Sequence, residues 1–192
     1  MLIKNYNDIN KEKLNGKIIA FPTDTVFGVG AIINDNIGIN KIYELKKRDA
    51  KKPLAILASS IEDILPYVEI TNDKIVEIMN KYWPGALTIV FKKSSLVSSQ
   101  ITNGLDTIAF RIPNSEIAIS ILKQTGPLAT TSVNYSGEAP INNYQEINNI
   151  FNDKIDYIVS ENVISSNISS TIIDATSTDI KVIRSGQIKI DV

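Results

Sequence analysis

Short apolar runs rich in β-branched residues alternate along this chain with longer stretches in which apolar positions recur every three or four residues. Runs of the first kind read as buried strands and stretches of the second kind as helices laid against a sheet. Residues 17–21 (Lys-Ile-Ile-Ala-Phe) are the first strand, and Pro22, which has no N–H for a ladder, stops it. Residues 37–47 carry Ile39, Ile42, Tyr43 and Leu45 at helical spacing, with basic residues at the C-terminal end. Further strands are expected over 53–57, 87–91, 107–112, 128–131, 155–159, 171–173 and 181–183. Further helices are expected over 61–66, over 72–82 ended by Pro84-Gly85, over 115–124 behind a Ser115 cap and ahead of Gly126-Pro127, and over 144–151. Residues 134–137 (Asn-Tyr-Ser-Gly) read as a turn, and 160–170 are polar enough to be expected as a mobile loop. The class is α/β with an irregular, α+β-like order. That order favours a mixed sheet flanked by helices over a repeated βαβ Rossmann pattern.

Five polar clusters interrupt the apolar pattern, each at the end of an apolar run: residues 21–30 (Phe-Pro-Thr-Asp-Thr-Val-Phe-Gly-Val-Gly), Lys46-Lys47-Arg48, 107–111, 131–134 (Thr-Ser-Val-Asn) and Ser169-Ser170-Thr171. Hydroxyls, amides and cations gathered at strand ends are suited to a small ligand, whereas polar residues of a solvated face are scattered. The chain has no histidine and no cysteine. A Ser-His-Asp triad, a cysteine nucleophile and a zinc site of the usual ligands are therefore excluded. Catalysis is left to positioning, Lys and Arg charge, hydroxyls, backbone N–H groups or bound Mg²⁺, which suits phosphoryl or nucleotidyl transfer.

At 192 residues, 43% hydrophobic and 21% charged, the chain is long enough for one well-buried core, and residues 1–192 read as a single domain. Twenty Lys and Arg against 21 Asp and Glu give a net charge of −1, which speaks against a nucleic-acid coat protein but leaves room for a local basic groove. No signal-peptide-like or membrane-spanning stretch is present, and zero cysteine agrees with a reducing compartment, so a cytoplasmic location is expected.

Each cluster has a bland reading beside a chemical one. The basic trio at 46–48 is either a phosphate clamp or a helix end that complements the helix dipole. Gly28 and Gly30 either let a ligand approach the backbone or shape an ordinary turn; the run is neither a Walker A loop nor G-x-G-x-x-G. Ser132 and Asn134, two apart on an extended segment, face the same way and so can meet one ligand, unless they form an Asx turn. Thr107, Ala109 and Arg111 share a strand face. An Arg within an apolar strand requires an anionic partner, supplied either by an acidic side chain or by a ligand carboxylate.

Taken in order, Pro22 to Gly28, Lys46-x-Arg48, Lys52-Pro53-Leu54, Trp83-Pro84-Gly85-x-Leu87-Thr88, Arg111-x-Pro113, Ser132-x-Asn134-x-Ser136-Gly137, residues 170–174 (Ser-Thr-Ile-Ile-Asp) and Arg184-x-Gly186 resemble the YrdC/TsaC threonylcarbamoyl-AMP synthase family. The resemblance runs from about Gly16 to Gly186 and is with the short, single-domain form. It implies a strongly twisted mixed sheet with a concave basic face. It also implies an enzyme that joins L-threonine, bicarbonate and ATP into threonylcarbamoyl-adenylate and pyrophosphate, with Mg²⁺ accompanying ATP. Downstream tRNA threonylcarbamoyl-transfer proteins would then carry the group to the adenosine beside the anticodon. By the same resemblance Thr25, Arg111, Ser132 and Ser170 bind threonine, Arg111 through its carboxylate. Lys46, Arg48, Lys52, Thr107, Asn134 and Arg184 meet the nucleotide, and Lys46, Arg48, Ser132 and Asn134 are the residues expected at the reacting centre. The chain departs from the family pattern at Phe27, where Tyr is usual, at Asp49 and at Ala86, where Pro is frequent.

Two other readings compete. One is a non-catalytic module that binds tRNA or double-stranded RNA on the same face by shape and phosphate contacts. The other is a carbamoyl-adenylate enzyme acting on another amine, against which stands the lack of zinc-finger cysteines.

Overall fold

Alternate side chains of a strand point to opposite faces, so a sheet with apolar residues at successive positions needs cover on both sides. The second strand meets that condition: Ala20 packs into one core cluster, while Ile19 and Phe21 pack into another on the opposite face. The structure is a computed structural model and describes residues 1–49, 51–98, 101–163 and 165–190. In chain order it contains β1 (Leu2–Ile3), α1 (Lys11–Leu14), β2 (Ile19–Phe21), β3 (Gly28–Ile32), α2 (Asn36–Lys46) and β4 (Ala55–Leu57). These are followed by β5 (Val68–Glu69), α3 (Asp73–Tyr82), β6 (Leu87–Lys93), β7 (Thr107–Arg111), α4 (Glu116–Thr125) and β8 (Leu128–Ser132). The last elements are α5 (Tyr144–Phe151), β9 (Tyr157–Val159), β10 (Thr171–Asp174) and β11 (Lys181–Arg184).

All the strands join one sheet in the order β1-β9-β2-β3-β8-β4-β7-β6-β10-β11, with β5 paired to β6. Pairs β1/β9, β9/β2, β4/β7 and β6/β10 are parallel and the others antiparallel, so the mixed sheet expected from the element order is the one observed. The larger core lies on one face, where α2 (Ile39, Ile42, Leu45), α3 (Ile75, Ile78, Met79) and α5 (Ile147, Phe151) cover the sheet. The smaller core lies on the other face and belongs to α4 (Ile117, Ala118, Ile121, Leu122) and Leu14 of α1. It reaches Val159, Ile19, Phe21, Ile32, Leu128 and Leu57, and stops at β4.

The helices begin where the sequence supplies caps: Asp35, Asn72, Ser115 and Asn143 each accept hydrogen bonds from first-turn N–H groups. Two expectations change. Residues 61–66 form turns and then a 3-10 turn, Leu65–Tyr67, because Pro66 removes a donor and the segment is too short to repay helix nucleation. Gly28 and Gly30 lie inside β3 and not in a turn: a Cβ at Gly28 would meet the Thr130 methyl at 2.9 Å, and one at Gly30 would crowd Thr130 Oγ1 and the Phe21 ring. The short elements β1, α1 and β5 left no readable period. Within 160–170 no regular element occurs among the described residues, and Ile164 lies outside them.

Asp35 couples the two faces, since its carboxylate accepts from Gly16 N–H as well as from Ile37 and Gly38 at the start of α2. Asp35→Ala removes a cap and leaves a part-buried N–H without its acceptor, so urea unfolding should show a loss of about 2–3 kcal/mol. A loss below about 0.5 kcal/mol would mean that water replaces the carboxylate.

Candidate active site

Beyond the edge of the smaller core the same sheet face carries no helix among the described residues, and there it forms the floor of a cleft of about 460 Å³. The floor consists of the outward positions of five strands: Thr130 and Ser132 on β8, Ala55 and Leu57 on β4, Ala109 and Arg111 on β7, Thr88 and Val90 on β6, and Ile172 on β10. Alternate residues Ile56, Ile108, Phe110, Leu87, Ile89 and Ile173 point the other way into the larger core. Thr23, Thr25, Val26 and Gly28 form one wall; Ser169, Ser170, Ile183 and Arg184 form another; Arg48, Pro53 and Leu54 close a third side.

Arg111 is 6% exposed. Its Nε donates to Gly85 O at 2.9 Å, Nη1 to Thr25 Oγ1 at 2.7 Å, and Nη2 to Asp24 Oδ1, with which it forms an ion pair. The acidic partner demanded by a guanidinium in a strand is thus Asp24, and the side chain lines the cleft as well. Three of five donors are used by these bonds, which leaves one N–H on each terminal nitrogen. Burial pulls its proton affinity below the ordinary guanidinium value, Asp24 opposes that, and Arg184 adds to it. Thr23 gives its only proton to Val26 O at 2.7 Å, so in the 3.1 Å pair between the two hydroxyls Thr25 is the donor. Thr25 Oγ1, receiving Arg111 and donating to Thr23, keeps one lone pair for a ligand N–H or O–H.

Across the cleft, Arg184 donates from Nε and Nη2 to Ser170 O, at 3.3 and 2.8 Å, and Ser170 Oγ pairs with Thr88 Oγ1 at 2.8 Å. Partial burial lowers the pKa of Arg184. Gly186 permits this arrangement, because a Cβ there would overlap Ser169 O and Ser170 C.

The basic trio divides. Arg48 holds Lys52 O through Nε at 3.2 Å and Pro53 O through Nη2 at 3.0 Å, and it faces the cleft. Lys46, 1% exposed, is not among the lining residues: its ammonium donates to Ser132 O and, at 2.8 Å each, to Asn134 O and Asn134 Oδ1. Asn134 Oδ1 also receives Ser132 Oγ at 2.6 Å, while its Nδ2 donates to Tyr135 O and Glu138 O. Asn134 is therefore saturated within its own turn, behind Ser132. Lys52 is exposed outside the lining; its carbonyl receives Arg48 and Tyr43 Oη, and its N–H donates to Asp49 O at 3.0 Å. Thr107 shares the face of Arg111 but sits at the far end of β7, outside the cleft.

The structure thus brings Thr25, Arg48, Arg111, Ser132, Ser170 and Arg184 together and leaves Lys46, Lys52, Thr107 and Asn134 behind or beside them. Sequence reasoning missed Asp24 as the partner of Arg111, Thr23 as organiser of Thr25, and Thr88 and Thr130 on the floor. Each of these stood in or beside a quoted motif, but only the strand register shows which way it points. No Asp or Glu is among the lining residues, and no group of three or more Asp or Glu that could hold a metal ion occurs among the described residues. The donor set suits anions and does not form a resident metal site.

A family model described as Telomere recombination (Sua5_yciO_yrdC) matches residues 13–186. The chain belongs to the Sua5/YciO/YrdC family. It is 34% identical over 177 residues to a threonylcarbamoyl-AMP synthase of Pyrococcus abyssi, covering 92% of this chain and 52% of that protein. It is 31% identical over 182 residues to a threonylcarbamoyl-AMP synthase of Vibrio campbellii, covering 93% of this chain and 98% of that one. The chain therefore spans about half the length of the first relative and nearly all of the second. Its structure is similar to that of Pyrococcus abyssi Sua5 complexed with L-threonine, with a TM-score of 0.83 and 35% identity over 89% of this chain and 51% of that one.

Within this Sua5/YciO/YrdC fold the Phe27 departure lies off the site, since its ring packs in the larger core. Among the described residues no helix is long and apolar enough to cross a membrane.

Burial, reinforced by the charge of Arg48, pushes the Lys46 pKa down from an ordinary 10.5 to about 8. Between those values the unfolded chain holds the extra proton, so the Lys46 contribution to stability rises as pH climbs from about 8 toward 10.5 and is flat below about 8. The stability difference between the parent and Lys46→Met should accordingly widen between about pH 7 and about pH 9.5 in urea titrations. A difference that stays constant would show that the three carbonyl acceptors hold the ammonium at its ordinary pKa.

Proposed function

We propose that this chain is an L-threonylcarbamoyladenylate synthase, a nucleotidyltransferase that forms threonylcarbamoyl-AMP and pyrophosphate from L-threonine, bicarbonate and ATP. The observation that carries this reading is the cleft itself, where three guanidiniums surround a floor of hydroxyls and small side chains with no carboxylate among the lining residues. Similarity to synthases bearing that name, and to a Sua5 complexed with L-threonine, supports it.

The threonine carboxylate takes the two remaining N–H groups of Arg111, a forked pair of donors matched to two oxygens. The Thr25 lone pair receives the threonine amine or hydroxyl. Arg48 and Ser132 face the phosphates from one side and Arg184 from the other. The amine nitrogen bonds to the carbon of bicarbonate with loss of water to give the carbamate. A carbamate oxygen then attacks the α-phosphorus, the bond to the β-phosphate breaks, and pyrophosphate leaves. Alignment and charge neutralisation supply the catalysis, and no side chain becomes covalently linked. Mg²⁺ enters with ATP as part of the substrate. The product passes to tRNA threonylcarbamoyl-transfer proteins, and every strand that contributes to the lining belongs to one sheet, in keeping with a single catalytic domain.

The purified chain should release pyrophosphate only when threonine, bicarbonate and ATP are all present. Equal release without threonine rules out the assigned amine. Arg111→Lys keeps a charge for Asp24 but loses the fork, and should raise the threonine KM roughly tenfold, or about 1.4 kcal/mol, with the ATP KM changed less than about threefold. Steady-state kinetics with each substrate varied decides it; equal rises in both constants would make Arg111 a general wall residue.

A further inference from the structure

Two alanines occupy the centre of the floor. Ala55 pairs with Thr130 across β4 and β8, and Ala109 pairs with Val90 across β7 and β6. The β4/β7 register, Ile56 with Phe110 and Leu57 with Arg111, extended by one residue sets Ala55 beside Ala109. A central row of the cleft face therefore reads Thr130, Ala55, Ala109, Val90. Alanine is a poor strand former, and inner strands of a sheet ordinarily carry β-branched residues at such positions, as the buried positions Ile56 and Ile108 of these two strands do. Both alanines are only half-buried and line open space, so nothing in the protein's own packing demands a small side chain there. Arg111 lies two residues along β7 from this row on one side, and Pro53, held by Arg48, lies two residues before the start of β4 on the other.

We propose that Ala55 and Ala109 are positioning residues for the reaction: their small size lets the carbamate of one substrate and the α-phosphate of the other lie in contact above this row. This rests on the synthase reading, in which Arg111 holds the amino acid and Arg48 the phosphates. Each strand residue spans about 3.3 Å, so the two anchors are separated by a gap that only the joined part of the substrates crosses. The two γ-methyls of a valine in the floor lift that part without touching either anchor, and a displacement of about 1 Å at reacting atoms is enough to lower turnover about a hundredfold.

Ala55→Val, Ala109→Val and the near-isosteric Ala109→Ser test this in the full chain. Threonine alone and ATP alone should bind each valine variant within about threefold of the parent by isothermal titration, while kcat falls about tenfold or more. Thermal unfolding of the valine variants should lie at or above that of the parent, since valine is the better strand residue. Ala109→Ser should retain most of the parent kcat. Valine variants with the parent kcat overturn the proposal, and so does a loss of separate threonine or ATP affinity that accounts for the whole fall in rate. A lowered unfolding temperature with Ala109→Ser equally impaired also overturns it, because packing would then set the size. The synthase reading fails separately, if the parent itself releases no pyrophosphate with all three substrates.

Discussion

A guanidinium placed in an inner strand of a sheet must be neutralised and hydrogen-bonded, or the strand would not form there. Arg111 meets this requirement by drawing two distant segments to one point: Asp24 and Thr25 from the loop after β2, and the carbonyl of Gly85 from the turn after α3. The contacts are mutually dependent. Thr25 is oriented because Thr23 orders the loop, and Gly85 is in reach because its N–H is held by Ile112 O at 2.8 Å, one residue beyond Arg111. One side chain therefore sets a wall, a floor and a charge of the cleft at once, and the two donors it has left point from a fixed frame. A donor whose orientation is already fixed loses little entropy on meeting a ligand, which is the usual advantage of a pre-organised site.

The electrostatics of the cleft follow from what the arginines are bonded to. Arg48 and Arg184 are held by neutral carbonyls, so their positions are fixed while their charges are not cancelled. Among the described residues only Arg111 of the three has an anionic partner, and that carboxylate belongs to a residue outside the lining. In a chain with a net charge of −1, the lining of this cleft thus holds three arginines and no carboxylate. The lowered proton affinities of Arg111 and Arg184 have the same origin, burial among groups that do not fully repay desolvation, and an arginine stays protonated in spite of it.

Much of this was legible from the chain. The helices at α2 to α5 announce themselves through caps and period, and the cleft wall could be read from motif order at Thr25, Ser170 and Arg184. What the chain did not disclose was direction. Gly28 and Gly30 look like loop glycines until the β3/β8 register places them in a strand with Thr130 in the space a side chain would need, and of the two only Gly28 lines the cleft. Thr107 and Arg111 share a strand face, yet only the extent of the uncovered floor excludes the first and includes the second. Asp24 was invisible as the partner of Arg111 because the two are 87 residues apart, and nothing in local spacing connects them.

The Lys-x-Arg motif shows how a spacing of two can separate roles that sequence treats as one. Helix α2 runs through Lys46, and its last turn carries that side chain inward beneath the end of β8, where Ser132 O and Asn134 receive it. Lys47 then takes the left-handed conformation, φ 50° and ψ 42°, and its N–H closes the helix on Glu44 and Tyr43 carbonyls. A single left-handed residue turns the chain away from the helix axis, so the next side chain, Arg48, emerges on the cleft side and grips the segment that leads into β4. The lysine braces the turn that presents Ser132, and the arginine faces the cleft. It is the cap between them that allows both placements.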